Sequence, residues 1–275
     1  MLTPRLALTP QLFAIFASLV EEACGLHYGP KERSLFESKL AVQAAEAGFD
    51  SLLDYYYRLR YNDPDGSERR ALVQALLVHE TYLFRELPAL VALVDEYLAP
   101  AVAARGRARV WSAACASGEE PLTLAMLLDR RGILERVEIV ATDVSEAAIA
   151  AAREGRYGRR SLRDGHPADL ALRYVDTAGR GVVVAQHIRD AVTWSTLNLL
   201  DAHRARALGT FDAIVCRNVL IYFSDATVVR VLDTLREMLA PDGVIAVGVS
   251  ESLMRFGTGL RCEERGGSFF YRGVR

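Results

Sequence analysis

The stretch Arg109-Val-Trp-Ser-Ala-Ala-Cys-Ala-Ser-Gly-Glu-Glu-Pro-Leu-Thr-Leu-Ala-Met-Leu-Leu-Asp-Arg-Arg131 decides the fold of this chain. Arg109–Ala114 has the apolar, β-rich character of a buried strand, and Glu119–Arg131 has the apolar spacing of a helix. The turn between them, within Ala113–Glu120, consists mainly of small residues. A strand that passes through a tight turn into a helix is the repeating unit of an α/β domain.

The same alternation continues towards the C-terminus. Further strands are predicted at Val137–Val144, Val192–Leu197, Phe211–Cys216 and Val244–Val249, with helices at Ser145–Glu154 and Ala226–Leu239. Gly266-Gly267 predicts a terminal hairpin of Arg261–Glu264 and Ser268–Arg272. Residues 155–191 do not fit the alternation and are interpreted as an insertion, with a small β structure predicted near 173–190. The expected fold class is therefore α/β, with a mostly parallel, Rossmann-like sheet covered by helices on both faces.

The N-terminal part has a different character. Thr9-Pro10 predicts the start of a helix and Gly25 its end, and helical patterns follow from about Pro30 to Glu46, from Asp50 and from Glu68. We therefore expect a small all-α domain over residues 1–98 and the α/β domain over residues 99–275.

Composition excludes several classes of protein. The chain has 275 residues, 51% of them hydrophobic, and a formal net charge of −2. This near-neutral charge argues against nucleic acid as a partner, and no apolar run is long enough to predict membrane insertion. The start, MLTPRLALTPQLF, does not resemble a secretory signal. The four cysteines lie far apart, which fits a reducing, cytoplasmic location and predicts no metal site.

Ligands of an open α/β sheet bind beyond the carboxyl ends of its strands. The turn Ala113–Glu120 lies at such an end, but it lacks the G-x-G-x-x-G pattern of dinucleotide sites, and its two glutamates favour a ligand with a cationic portion. Asp143 ends the next strand, where a carboxylate can accept hydrogen bonds from both hydroxyls of a ribose. The alternative is that Asp143 or Ser145 only caps the following helix.

Polar residues also follow the later strands. Asn198-Leu199 comes after one predicted strand and Arg217-Asn218 after the next. These positions face a ligand at the sheet edge, although such residues can also serve only to satisfy backbone groups of their loops.

Several motifs occur in order along the chain: Glu80-Thr-Tyr-Leu-Phe-Arg-Glu86, Val110-Trp-Ser-Ala-Ala-Cys-Ala-Ser-Gly-Glu-Glu-Pro121, Ala141-Thr-Asp-Val-Ser145, Phe211-Asp-Ala-Ile-Val-Cys-Arg-Asn-Val-Leu-Ile-Tyr-Phe223, and Leu239-Ala-Pro-Asp-Gly243 with Val249-Ser-Glu-Ser-Leu253. Together they resemble the chemotaxis receptor glutamate O-methyltransferases, the CheR family. The resemblance spans nearly the whole chain. The combination of Ser-Gly-Glu-Glu-Pro with Cys-Arg-Asn-Val-Leu-Ile-Tyr-Phe carries most of its specificity.

The resemblance implies a class I methyltransferase domain preceded by the helical domain, with S-adenosylmethionine as cofactor and S-adenosylhomocysteine as product. It implies methyl-accepting chemoreceptors, through their cytoplasmic helical bundle, as substrate and partner. By motif, the cofactor-binding residues are His79, Thr81, Arg85, Ala114, Glu120, Asp143, Asn198, Leu199, Arg217 and Asn218.

Arg85 and Tyr222 are the implied catalytic residues. Arg85 orients a carboxylate, either of the cofactor or of the substrate. Tyr222 lies near the transferred methyl, where it packs on the adenine or donates a hydrogen bond; the alternative is a core aromatic beside Ile221 and Phe223. An ionised glutamate is already a nucleophile, so the reaction needs alignment and exclusion of water and no general base. Two other hypotheses stay open: a methyltransferase of this fold with another acceptor, and a cofactor-binding signalling scaffold.

The chain departs from the family pattern at three places. His79 replaces the usual Asn, which predicts that cofactor affinity changes with pH. The second helix, around Lys31–Lys39, mixes charges where the family has an arginine-rich face, so receptor docking by a basic stripe on this helix is not expected. The Asp176–Gln186 region is short, which predicts that no receptor tail peptide is tightly tethered there.

Overall fold

The computed structural model describes residues 7–177, 179 and 181–273. The chain divides into two compact units, Met1–Val78 with Tyr222–Thr227, and His79–Ile221 with Val228–Arg275. The division after Val78 precedes the boundary expected at residues 98/99. The reason is that the helical segment after residue 86 contributes its apolar side chains to the core of the sheet and so belongs to the second unit.

Helices form the first unit. They are α1 (Pro10–Cys24), α2 (Arg33–Glu46, after a 3₁₀ turn Pro30–Glu32), α3 (Leu52–Tyr61) and α4 (Ser67–Leu76). The Thr9 side chain accepts a hydrogen bond from Leu12 N at 3.2 Å and so caps α1. Gly25 ends this helix with a φ of 85°, as predicted. Phe16, Phe36 and Tyr55 are fully buried between the helices and form the centre of this unit's core.

The second unit continues the chain order with helices and strands of the α/β domain. These are α5 (Leu87–Leu93), a π-helical turn (Val94–Leu98), α6 (Ala99–Arg105), β1 (Ala108–Ala113), α7 (Glu119–Arg130), β2 (Val137–Asp143), α8 (Glu146–Glu154), β3 (Arg156–Gly158), α9 (Ala168–Tyr174), β4 (Val175–Asp176), β5 (Gly181–Val184), α10 (Gln186–Asp190), β6 (Val192–Thr196), α11 (Ala202–Arg206), β7 (Phe211–Val215), α12 (Asp225–Glu237), β8 (Leu239–Ala246), β9 (Leu260–Arg265) and β10 (Ser268–Gly273). The first residues of α12 belong to the first unit.

The main sheet has the strand order β6-β2-β1-β7-β8-β10-β9. Its pairs from β6 to β8 are parallel, whereas β10 runs antiparallel to both β8 and β9. Val110, Ile139 and Ala213, on three adjacent strands, share one hydrophobic core with α5, α6 and α7. The α/β fold class, with a mostly parallel Rossmann-like sheet after an all-α region, is confirmed.

The helical segment Leu87–Arg105 is long and apolar enough to cross a membrane, by length and composition alone. Its side chains Leu90, Leu93, Val94 and Leu98 are buried in the hydrophobic core of the sheet. A core helix of a globular domain passes the same test, and the packing accounts for the apolar character of this segment.

The insertion differs in detail from the prediction for residues 173–190. It is a three-stranded antiparallel sheet of order β3-β5-β4, in which β3 (Arg156–Gly158) lies before the β structure predicted near 173–190 but within the insertion expected over 155–191. Gln186–Asp190 forms helix α10 where β structure was expected, and its Ile188 is fully buried. Ala178 and Arg180 of the predicted insertion lie outside the described residues, as do residues 1–6 of the N-terminal stretch that does not resemble a secretory signal.

The last parallel strand begins earlier than predicted. It was expected over Val244–Val249, but β8 starts at Leu239, which pairs with Phe211. The register shifts between Phe211 and Ala213, and Asp242 has a φ of 74°. A bulge therefore accommodates the turn-forming Pro241 and Asp242 inside the strand.

Candidate functional site

Six of the predicted residues lie at the ends of four parallel strands. Ala114 follows β1, Asp143 ends β2, Asn198 and Leu199 follow β6, and Arg217 and Asn218 follow β7. Backbone hydrogen bonds hold these ends side by side: Cys115 N donates to Thr142 O, and Leu197 N donates to Asp143 O, both at 2.9 Å. The crossover of strand order between β1 and β7 is the place where open α/β sheets bind ligands.

The turn after β1 has an unusual backbone. Ala114 and Ala116 have φ values of 61° and 48°, in the left-handed region that residues with a Cβ rarely adopt. Gly118 has a φ of 91°, and a Cβ there would lie 2.6 Å from the Ala152 Cβ and 2.8 Å from the Trp194 ring. A residue other than glycine costs free energy when its backbone is left-handed. Such residues concentrate at ligand sites, where the surrounding structure holds them in this conformation.

Asp143 is bound into this turn. Its carboxylate accepts hydrogen bonds from Ala116 N at 2.8 Å and from Ser145 N at 2.9 Å. The cap of α8 is the Ser145 side chain, which accepts from Ala148 N at 3.0 Å. Burial raises the pKa of Asp143, while these backbone donors and the nearby His79 lower it. Ser145, and not Asp143, therefore caps α8. The two backbone donors occupy only part of the acceptor capacity of the Asp143 carboxylate, which leaves lone pairs for a ligand.

Arg217 is the centre of a buried ion network. Its guanidinium, 1% exposed, donates to Glu120 at 3.0 Å, to Glu86 at 2.8 Å and to the Arg85 carbonyl at 3.1 Å. Burial raises the pKa of Glu120, with Arg217 and the Ser112 hydroxyl acting in the opposite direction. Burial would also raise the pKa of Glu86, but hydrogen bonds from Arg217 and Val249 N hold it below its usual value.

This network changes the interpretation of the glutamates in the turn. The charge of Glu120 is compensated by Arg217, and the Glu119 carboxylate accepts a hydrogen bond from the Ser117 hydroxyl at 2.7 Å. Burial raises the pKa of Glu119. Glu119 and Glu120 are therefore not free negative charges, and they do not support the predicted preference for a ligand with a cationic portion.

Asn218 is positioned by two carboxylates, Glu86 and Glu251, which lie within the motifs but were not predicted to be site residues. Its backbone N–H donates to Glu251 at 2.7 Å, and its side-chain amide donates to Glu86 at 3.4 Å. Glu251 is buried and also accepts from Gly248 N at 2.8 Å. Asn218 itself has a φ of 57°. Glu86 and Glu251 thus fix the loop that follows β7. The sequence feature that could have indicated their importance is that each lies within a motif.

The segment before α5 carries His79, Thr81 and Arg85. The Arg85 guanidinium donates to Glu80 O at 2.7 Å and lies 5.8 Å from the Tyr82 ring centroid. Phe84 and Glu86, on either side of Arg85, have left-handed φ values of 65° and 49°. Phe84 N donates to the Thr123 hydroxyl of α7, which ties the segment to the helix after β1. Thr81 is half-buried in the irregular part of the segment, before the turn that contains Phe84.

Tyr222 lies at the end of a 3₁₀ turn, Leu220–Tyr222, in the stretch that belongs to the first unit. Its carbonyl accepts a hydrogen bond from His27 N at 2.8 Å. The neighbouring Phe223 pairs with Leu26 in an isolated antiparallel bridge. Within its own unit, the backbone of Tyr222 is therefore fixed against the chain that follows α1.

Comparison with known proteins identifies the chain's relatives. Residues 79–265 match the family model of the CheR methyltransferase SAM-binding domain, and residues 11–77 match the CheR methyltransferase all-alpha domain. Chemotaxis protein methyltransferase 1 of Pseudomonas aeruginosa is 35% identical over 250 residues, covering 88% of this chain and 90% of that protein. Chemotaxis protein methyltransferase 2 of Vibrio cholerae is 31% identical over 256 residues, covering 91% and 88%. The chemotaxis protein methyltransferase of Escherichia coli is 32% identical over 256 residues, covering 91% and 87%.

The residues at the strand ends fit S-adenosylmethionine. Asp143 offers a buried carboxylate to ribose hydroxyls, and the small residues Ala114 and Ala116 let a ligand approach the backbone closely. Arg217 Nε is buried without a hydrogen-bond partner in the described part of the chain, which leaves a donor for a ligand oxygen. Among the described residues, no group of three or more His, Cys, Asp or Glu side chains is placed to hold a metal ion.

Proposed function

Because the chain belongs to the CheR methyltransferase family, we propose that this S-adenosylmethionine-dependent methyltransferase methylates glutamate side-chain carboxylates in the cytoplasmic domains of chemoreceptors. The relatives named chemotaxis protein methyltransferase support this acceptor. The single observation that carries the proposal is the buried carboxylate Asp143 bound to the left-handed Ala114–Gly118 turn, inside a family match that spans both parts of the chain. The reaction would take place in the cytoplasm.

The proposed cofactor ligands are His79, Thr81, Arg85, Ala114, Glu120, Asp143, Asn198, Leu199, Arg217 and Asn218. When bound, S-adenosylmethionine supplies an activated methyl group on a positively charged sulfur. Asp143 would accept hydrogen bonds from the ribose. Glu120 would bind through the lone pairs that the hydrogen bonds from Ser112 and Arg217 leave free on its two oxygens.

The chain's own contribution to the reaction is proposed to be alignment. A glutamate carboxylate is ionised at neutral pH and needs no base, so no proton has to move before transfer. Arg85 would orient a carboxylate through its planar guanidinium, and Tyr222 would lie close to the methyl that is transferred. Holding two reactants in place can lower the barrier by roughly 7–11 kcal/mol. Alignment alone can therefore provide a large rate enhancement, and the mechanism needs no general base.

Transfer of labelled methyl from S-adenosylmethionine to a purified chemoreceptor cytoplasmic fragment tests the proposal. We expect incorporation that mild base releases, as it does for a carboxylic ester. Arg85→Ala and Asp143→Ala should abolish it and remain folded by circular dichroism. Label that resists base, or label only in another acceptor, would favour a different methyltransferase of this fold. Cofactor binding in calorimetry without incorporation into any receptor would favour a signalling scaffold.

A further inference from the structure

A basic segment lies beside the proposed cofactor site. Residues 153–163, here called the basic segment, contain five arginines and one glutamate, although the whole chain has a net charge of −2. Arg156, Arg159 and Arg160 are exposed, and within the described residues they take part in no ion pair. Solvated arginines alone would mean little, since charged runs usually only face solvent. Their role therefore depends on where the segment lies.

The basic segment is fixed to the chain that carries Arg85. Ser161 O accepts a hydrogen bond from Leu83 N at 2.8 Å. Arg163 donates to Glu80 at 3.0 Å, and its guanidinium lies 3.7 Å from the Tyr82 ring centroid. The exposed arginines therefore belong to a segment that touches residues 80–83, directly before Arg85.

A second anchor joins the segment to the turn after β1. The Tyr157 hydroxyl donates to Ser117 O at 2.8 Å, and Tyr157 is packed against the core of the sheet. In the small sheet, Tyr157 of β3 pairs with Val182 of β5. Side chains alternate along a strand, so the side chain of Arg156 points to the face opposite that of Tyr157. The backbone is held on both sides, while the charges of Arg156, Arg159 and Arg160 remain in solvent.

Helix α2 offers no comparable charge. Its exposed positions include Leu35 and Val42, which are 53% and 58% exposed, together with Ser34, Ser38 and Ala45. A partner that is recognised by negative charge therefore finds its complement in the basic segment and not on this helix.

We propose that the basic segment, through Arg156, Arg159 and Arg160, is a docking surface for an acidic protein segment, the one that carries the glutamates to be methylated. This inference rests on the proposed function, because the charge of the partner follows from its carboxylate acceptors. Positive charge at the rim of a site steers an acidic partner and raises its association rate. Such an effect weakens with salt, since the screening length falls from about 10 Å at 0.1 M to about 3 Å at 1 M.

The test compares two charge reversals of equal size. R159E/R160E changes the basic segment, and R261E/R265E makes the same change on β9, the edge strand at the other end of the main sheet. Binding of a fluorescent chemoreceptor cytoplasmic fragment is measured by anisotropy between 0.05 and about 0.5 M salt. KM and kcat for methyl transfer to the same fragment, and cofactor affinity by calorimetry, are measured in parallel.

We expect R159E/R160E to weaken fragment binding and raise KM about tenfold at low salt, with little difference left at high salt. Its kcat and cofactor affinity should match the wild type, and R261E/R265E should behave as wild type throughout. Equal KM and equal salt dependence in the two double variants would overturn the docking surface while leaving methyl transfer intact. Salt-independent binding of the wild type would overturn it too. A wild type that binds the fragment with salt dependence but transfers no methyl would contradict the proposed function and not the surface.

Discussion

Arg217 is charged, 1% exposed and placed between Glu86 and Glu120, so its removal should be more damaging than the loss of one hydrogen bond. Without it, two buried carboxylates lose their compensating charge. We predict that Arg217→Met lowers the free energy of unfolding by about 3–5 kcal/mol, the usual cost of breaking a buried pair from one side. Urea denaturation followed by circular dichroism measures this change.

The matched control is an exposed pair in the same unit. Arg206 and Glu237 are each 50% exposed and lie 2.7 Å apart. Arg206→Met should cost less than about 1 kcal/mol because solvent screens such a pair. If both arginine variants showed the same small loss, the buried network would not be important for stability.

Several residue roles could not be read from the sequence. Glu86 and Glu251 lie in quoted motifs, but their function depends on Arg217 and Asn218, which are distant in the chain. The left-handed conformations of Phe84 and Glu86 also have no sequence signal, because residues other than glycine seldom adopt them and the surrounding contacts impose them. Residues such as Asp143 and Asn218 could be singled out, because they lie at or directly after the ends of predicted strands.

At the scale of elements, the turn between β1 and α7 should tolerate almost no added volume. A Cβ on Gly118 would overlap Ala152 and the Trp194 ring, and the φ of 91° is strained for any L residue. We predict that Gly118→Ala lowers the free energy of unfolding by about 2–4 kcal/mol, the sum of a backbone penalty and an overpacking penalty. Chemical denaturation gives the value.

Gly106 separates the two contributions. It also has a positive φ, 78°, but within residues 7–177, 179 and 181–273 a Cβ built there has no non-local heavy atom within 4 Å. Gly106→Ala should therefore show the backbone penalty alone, about 1 kcal/mol. Equal losses in the two variants would mean that the contact of Gly118 with Trp194 does not restrict the turn.

Elements were predictable wherever local signals agreed. The caps Thr9 and Gly25 bound α1, and Gly266 and Gly267, with φ values of 54° and 72°, form the turn of the predicted hairpin. The elements that were missed depend on distant partners. Arg156–Gly158 is a strand only because β5 lies beside it, and β8 starts at Leu239 because Phe211 offers a partner before the bulge. Short strands of this kind have no periodicity of their own.

At the scale of the molecule, charge is distributed unevenly although its sum is close to zero. The net charge of −2 argues against a field covering the whole protein, but it conceals the basic segment at residues 153–163. A sum over the chain cannot show which charges share a surface, and only the anchoring of Tyr157 and Arg163 places these arginines beside the site. Local charge is therefore the quantity that bears on partners here.

Cofactor binding should be visible in the stability of the whole chain. A ligand that binds only the folded state at 100 times its Kd adds about 2.7 kcal/mol to the free energy of unfolding. For a domain of this size, that corresponds to a rise in Tm of about 5–10 °C. We predict such a shift with S-adenosylmethionine in differential scanning fluorimetry, and a shift near zero for Asp143→Ala at the same concentration. The reason is that the Asp143 carboxylate is the ribose ligand proposed at the end of β2.

Glu138, on the same strand, provides the control for this measurement. It pairs with Arg109 at 2.8 Å and lies towards the opposite end of β2 from Asp143. Glu138→Ala should keep the full cofactor-induced shift whatever its own Tm. A full shift in Asp143→Ala would show that the cofactor does not use this carboxylate. A lost shift in both variants would trace the effect to damage of β2, so only the contrast between the two carboxylates assigns the ligand.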